Sequence, residues 1–135
     1  MKVVLRNPNA PDGVKYWSLT VGREYEVLGM SDDSCQLLDD TNEPILFDLS
    51  CFEVTDPQEP AFWQTKYGEE GERYAGPPGW KVPGFFEAWH DGDELIKRVF
   101  FAQLAFWYPG IELRSQAERN QAHDRRSRSV SNSDD

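Results

Sequence analysis

From Leu19 to Asp56 three short apolar runs alternate with acidic turns, LTVGREYEVLGMSDDSCQLLDDTNEPILFDLSCFEVTD, which is the pattern of an antiparallel strand meander. Arg23 to Met30 sets Glu24 and Glu26 outward and Tyr25 and Val27 inward, as a half-buried strand requires. Ser31-Asp32-Asp33-Ser34 breaks the run with short polar side chains that hydrogen-bond their own backbone. Cys35 to Leu38 is the next strand, Asp39 to Pro44 the next turn, with Asn42 suited to positive φ, and Ile45 to Phe47 the return. Asp48 or Ser50 can cap a single helical turn before a closing strand at Phe52 to Val54. Upstream, Lys2 to Arg6 is a first strand, and the prolines, asparagines and glycine of Asn7 to Gly13 make a loop.

After Asp56 the pattern changes. Asp56 to Pro60 reads as an exit linker that starts a short helix, with Phe62 or Trp63 on the same face as Tyr67, and Glu69 to Arg73 as a solvated loop. Gly76 to Gly84 is too rich in proline and glycine for regular structure and is expected to lie extended over the barrel. The clearest helix spans Asp91 to Tyr108, with Asp91 as N-cap, Glu94 at the third position and Pro109-Gly110 as the stop. Leu95, Ile96, Val99, Phe100, Leu104 and Trp107 form its apolar stripe, and Phe101, Ala105, Phe106 and Tyr108 make the far side apolar as well. Such a helix is either sandwiched or docked on a second chain. Residues 111–135 hold Ile111, Leu113 and Val130 as their only large apolar side chains and run through Arg125-Arg126-Ser127-Arg128-Ser129. That stretch buries too little to offset its ordering entropy, so a disordered tail is expected.

The fold class is therefore mainly β with an α extension: a small antiparallel barrel over 1–56, a proline-rich wrap with the helix over 57–110, and the tail over 111–135. The residues Leu19, Thr20, Gly22, Tyr25 and Val27, then Asp39-Asp40, Phe47 and Phe52-Glu53-Val54, resemble the pattern of small SH3-like barrels found in bacterial and phage proteins. Pro83-Gly84-Phe85-Phe86-Glu87, with Asp91-Gly92-Asp93 behind it, resembles C-terminal extensions in some of these, including proteins that look like immunity partners of polymorphic toxins. The resemblance covers about residues 1 to 110. It implies fold more strongly than function and brings no catalytic residues with it.

Charge changes the picture most. The formal net charge is −10, and it is uneven: +4 and −12 over residues 1–65, +5 and −7 over 66–110, +5 and −5 over 111–135. An acidic barrel repels a phosphate backbone and attracts a basic protein. The 13% aromatic content fills a small core with few side chains, or leaves some rings at a binding face. Met1 to Arg6 reaches charge too soon for a signal peptide and no apolar run approaches membrane length, so the chain reads as cytoplasmic.

Candidate chemistry is sparse. Cys35 and Cys51 lack CxxC spacing and read as buried thiols. Glu87 and His90 form a single Glu-x-x-His where a di-iron bundle needs two. Asp40-Thr41-Asn42 and Asp91-Gly92-Asp93 are fragments of calcium-loop spacing without the closing glutamate. No nucleophile motif or phosphate-cradling loop is present. The expectation is a protein without catalysis, metal or cofactor that binds a basic protein, with an immunity-type inhibitor of a basic toxin as the specific form. Asp32, Asp33, Asp39, Asp40 and Glu43, on neighbouring hairpin turns, would steer the partner, and Trp17 and Trp80 would supply desolvated contacts. The competing reading is a structural or assembly subunit that dimerises through the 91–108 helix.

Overall fold

Strand β2, Glu24–Ser31, is the one on which the other strands of the sheet are built. A computed structural model describes residues 1–80 and 82–133. One edge of β2 pairs antiparallel with β3, Ser34–Leu38, and β3 in turn with β4, Pro44–Asp48. The other edge is shared: β1, Lys2–Leu5, lies against Glu24 to Glu26, and a later strand lies against Met30 and Ser31. β5, Phe52–Asp56, adds to β1, which gives the order β4-β3-β2-β1-β5.

A register shift between Val27 and Gly29 bends β2 and resets which face its side chains take. Val27 and Leu28 are consecutive and both fully buried, yet each enters a different core. The first core gathers Val3, Leu5, Tyr25, Val27, Leu37 and Phe47 between the strands. The second gathers Leu28, Leu38 and the rings of the C-terminal half.

The coarse expectation, mainly β with an α extension, describes the molecule, whereas the closed barrel does not form. β4 pairs only with β3 and β5 only with β1, so the seven-stranded sheet is open. A single 3-10 turn, Leu49–Cys51, capped by Asp48 accepting from Ser50 N, carries the chain from one edge to the other. The two edges are joined through this turn and not by a ladder.

Residues 57–76 depart further from expectation. No helix forms there; β6, Gln64–Tyr67, and β7, Arg73–Gly76, make a hairpin around a turn closed by Gly68 N to Glu72 O at 2.9 Å. The free edge of β2 gave β7 backbone partners that a helix could not use. The close approach depends on residue 29 being glycine, because a Cβ there would lie 2.9 Å from the Ala75 carbonyl oxygen.

Pro77 and Trp80 then pack inward, and helix α1, Phe85–His90, buries Phe85 and Trp89 one turn apart. Lys81, within the stretch expected to be extended, lies outside the described residues. Helix α2, Glu94–Trp107, is capped by Asp93, whose carboxylate accepts from Ile96 N at 3.1 Å. Asp91, the expected cap, instead ends α1, because Gly92 at φ 89° reverses the chain between the two helices. α2 buries Phe100 and Leu104 but leaves Leu95 64% and Phe106 73% exposed, so it is covered on one side only. Its C-cap Tyr108 joins three segments: its hydroxyl accepts from Trp63 Nε1 at 2.8 Å and donates to Leu28 O at 3.0 Å.

Residues 116–133 form helix α3, Gln116–Ser133, in place of the expected disordered tail, whose last two residues lie outside the described set. It has no apolar stripe. Instead Ala122 is fully buried and polar side chains reach the sheet: Arg23 to Glu118 at 3.3 Å and Arg125 to Asp40 at 2.8 Å. Among the described residues no helix is long and apolar enough to cross a membrane.

Candidate functional site

Five carboxylates proposed from the sequence as one steering patch are split by β3. Asp32 and Asp33 sit in the turn before it and are exposed. Asp39, Asp40 and Glu43 belong to the turn after it, and a strand of that length holds its ends apart by about 17 Å. Asp39 and Asp40 are each only 2% exposed, so neither can steer a partner.

Local donors explain this burial. Asp39 Oδ1 accepts from Thr41 N, Thr41 Oγ1 and Glu43 N, at 2.9, 2.6 and 3.0 Å, and so closes its own turn. Burial nevertheless pushes its carboxyl above the usual aspartate range, against the lowering effect of those bonds. Asp40 collects donors from distant parts of the chain, Thr20 Oγ1 at 2.7 Å, Tyr25 Oη at 2.8 Å and Arg125 at 2.8 Å, and has the charges of Arg114 at 3.6 Å and Arg23 at 3.8 Å beside it, beyond hydrogen-bond reach. Burial first, and then the adjacent Asp40 charge, raise the Tyr25 phenol well above its ordinary value. Glu43 is half-buried and accepts from Thr41 Oγ1 at 3.2 Å.

The two proposed contact rings are also occupied. Trp80 is 5% exposed, its ring 4.9 Å from Phe100 and its Nε1 donating to Gln103 Oε1 at 2.7 Å, so it is core. Trp17 is half-buried under α3, with His123 and Arg126 against its ring.

An open cleft lies on the other side of β2. β4, β3, β2, β7 and β6 together line a cleft of about 380 Å³, with Leu46, Met30, Tyr74 and Tyr67 among its walls and Trp80 and Phe86 at its side. Tyr67 is 66% and Leu46 50% exposed, and both stand in the wall of this one cleft, where a partner can reach them together. Ser31 and Gly68 both line the cleft, and each leads directly into an acidic turn. Asp32 N donates to Arg73 O at 2.7 Å, which sets those turns side by side. Asp32 and Asp33 therefore stand with Glu69, Glu70 and Glu72 at one end of the cleft. Arg73, on the same hairpin, is paired with Glu59 at 2.8 Å and holds that carboxyl below its ordinary range. Lys66, which lines the cleft, is the other cation of that hairpin, so carboxylates outnumber cations at the two turns.

In the sequence Tyr67 reads as part of a short helix because residues 57–67 have helical aromatic spacing, and Tyr74, Leu46 and Met30 are not singled out as contact residues. The signal available was Thr65-Lys66-Tyr67 and Arg73-Tyr74-Ala75 flanking a glycine-containing acidic turn, a hairpin pattern. The sulfur and imidazole groups show no assembled chemistry. Cys35 is fully buried and burial pushes its thiol up to about 12, while His90 Nε2 lies 3.1 Å from the Pro44 carbonyl oxygen. Among the described residues no group of three or more His, Cys, Asp or Glu side chains could hold a metal ion. No family model, curated protein or solved structure matches the chain.

Proposed function

We propose that the chain is a non-catalytic protein-binding domain whose contact surface is the tyrosine-walled cleft, and that its partner presents a basic residue beside an aromatic or aliphatic one. The observation that carries this reading is the meeting of an open apolar cleft and five carboxylates where the two hairpin turns adjoin. Carboxylates at the rim speed encounter with a cation, while rings in the cleft slow release. An immunity-type inhibitor of a basic toxin is the specific form of this proposal. An SH3-like origin for strands β1 to β5 is its structural companion, supported by their order and by the 3-10 turn before β5.

Display of random peptides against the full chain tests it. Selected ligands should carry Lys or Arg next to a large apolar residue. Tyr67→Ala should raise their dissociation rate about tenfold, and Asp32→Asn with Asp33→Asn should slow association in low salt and not in high salt. Ligands without basic residues, or indifferent to Tyr67, would refute the proposal. The exposure of Leu95 and Phe106 supports a second reading, a homodimer through α2. Sedimentation in high salt separates them, since an apolar dimer persists there.

A further inference from the structure

A second face of the molecule, sharing no residue with the cleft, already holds a ligand of its own making. Arg125 of α3 donates through Nε to the Trp17 carbonyl oxygen at 2.9 Å and through its terminal nitrogen to Asp40 Oδ2 at 2.8 Å. Arg126 stands over the Trp17 ring, its guanidinium 5.3 Å from the ring centroid. The acceptors belong to the sheet and its first loop; both cations come from the C-terminal helix. We infer that Asp40 and Trp17 form an arginine-binding site, that α3 is its internal occupant, and that a helix of a partner protein bearing consecutive arginines can take its place.

Two features separate this from an ordinary tertiary contact. The first is that the site survives the loss of its occupant. Without Arg125, Asp40 keeps Thr20 Oγ1 at 2.7 Å, Tyr25 Oη at 2.8 Å and Arg114 at 3.6 Å, so no buried carboxylate is stranded. The second is that α3 does not fill the space. A cleft of about 380 Å³ remains between Tyr16, Trp17 and Val21 on the loop side and Arg125 and Arg128 on the helix side.

The attachment of α3 is graded along its length. Its near end is fixed by the clasp of Asn42 and Arg114, Nδ2 to O at 3.0 Å and N to Oδ1 at 2.8 Å, and by Arg23 to Glu118. Between the buried Ala122 and Arg128 the described contacts to the sheet and first loop are those of Arg125 with Asp40 and the Trp17 carbonyl, and of His123 and Arg126 with the Trp17 ring, and the charged ones weaken as salt rises. A tethered self-ligand competes at an effective concentration on the order of millimolar, so an outside arginine helix gains access once the tethered one is weakened.

The test uses the full chain and a fluorescent peptide of the sequence Gln116 to Ser133. The Arg125→Ala, Arg126→Ala chain should bind this peptide at least tenfold more tightly than the unaltered chain does, and the same peptide carrying both substitutions should bind neither. Equal affinity for the two chains, or no binding to the altered chain, would overturn the inference. Hydrogen exchange of the unaltered chain gives a check that needs no variant. Amides of the distal half of α3 should lose protection between low and molar salt while those of β2 keep theirs; α3 and β2 opening together at every salt concentration would equally overturn it.

Discussion

Asp32 and Asp33 stand at one end of β3 and Asp39 and Asp40 at the other, two pairs of adjacent aspartates on two hairpin turns that read alike in the sequence. The first pair faces water beside a second acidic turn. The second pair is buried, one carboxylate folded back onto its own turn and the other holding Tyr25, Thr20 and Arg125. Composition does not separate them. What does is where the donors are: Asp39 and Asp40 meet enough of them to replace water, and Asp32 and Asp33 do not.

The sharpest way to break this contrast is Asp40→Asn, which puts a neutral amide where one carboxylate meets two hydroxyls and three guanidinium groups. Urea unfolding should show a loss of about 3–5 kcal/mol, as when one member of a buried ion pair is removed. A loss under about 1 kcal/mol would mean that water screens the cluster.

Tyr25→Phe comes next. It takes a hydrogen bond from Asp40 and an acceptor from Thr20 N, at 2.8 and 2.7 Å. About 1–3 kcal/mol should be lost in the same assay. Combined with Asp40→Asn, the total should fall short of the sum, because the two residues share a bond.

Asp39→Asn should change stability by less than about 1 kcal/mol at neutral pH, because all three turn donors point at Oδ1, which asparagine retains. Its signature is in the pH dependence. The folded carboxyl is raised above its ordinary 3.8, so the fold favours its protonated form. That contribution is present below the unfolded value and is lost as pH rises through the folded one. The variant lacks this decline, so its stability relative to the parent chain should improve as pH rises through that window. Asp48 and Glu59, held low by bonds from Ser50 and Arg73, have the opposite sign: their contribution is present above the ordinary range and lost as pH falls. The smallest effect belongs to the exposed pair. Asp32→Asn with Asp33→Asn should stay within about 0.5 kcal/mol in thermal unfolding, since asparagine tolerates the φ of 53° at residue 32.

How far the sequence could be read follows the reach of each interaction. β2 to β5 were legible because alternation and turn residues act within a few positions, as in Tyr25, Val27, Asp39 and Asn42. The helix at α2 was legible for the same reason, but its cap fell two residues late because Gly92 first ends α1. The β6–β7 hairpin was not legible, since its partner is the edge of β2 at Met30 and Ser31. α3 was the least legible of all: its sequence has the composition of a disordered tail, and what holds it, Asp40 and Trp17, lies far upstream. Of the candidate contact residues, Asp32 and Asp33 follow Ser31, which lines the cleft, Trp17 lies under α3, and Trp80 belongs to the core.

The bond between Arg125 and the Trp17 carbonyl oxygen joins residues 108 positions apart. During synthesis the loop at residue 17 therefore emerges long before the helix that covers it exists. At roughly 5–20 residues per second, that interval is roughly 5–20 s. Throughout it Trp17 is without the helix residues that later cover its ring. A loop that is made early is thus completed by residues made about a hundred positions later.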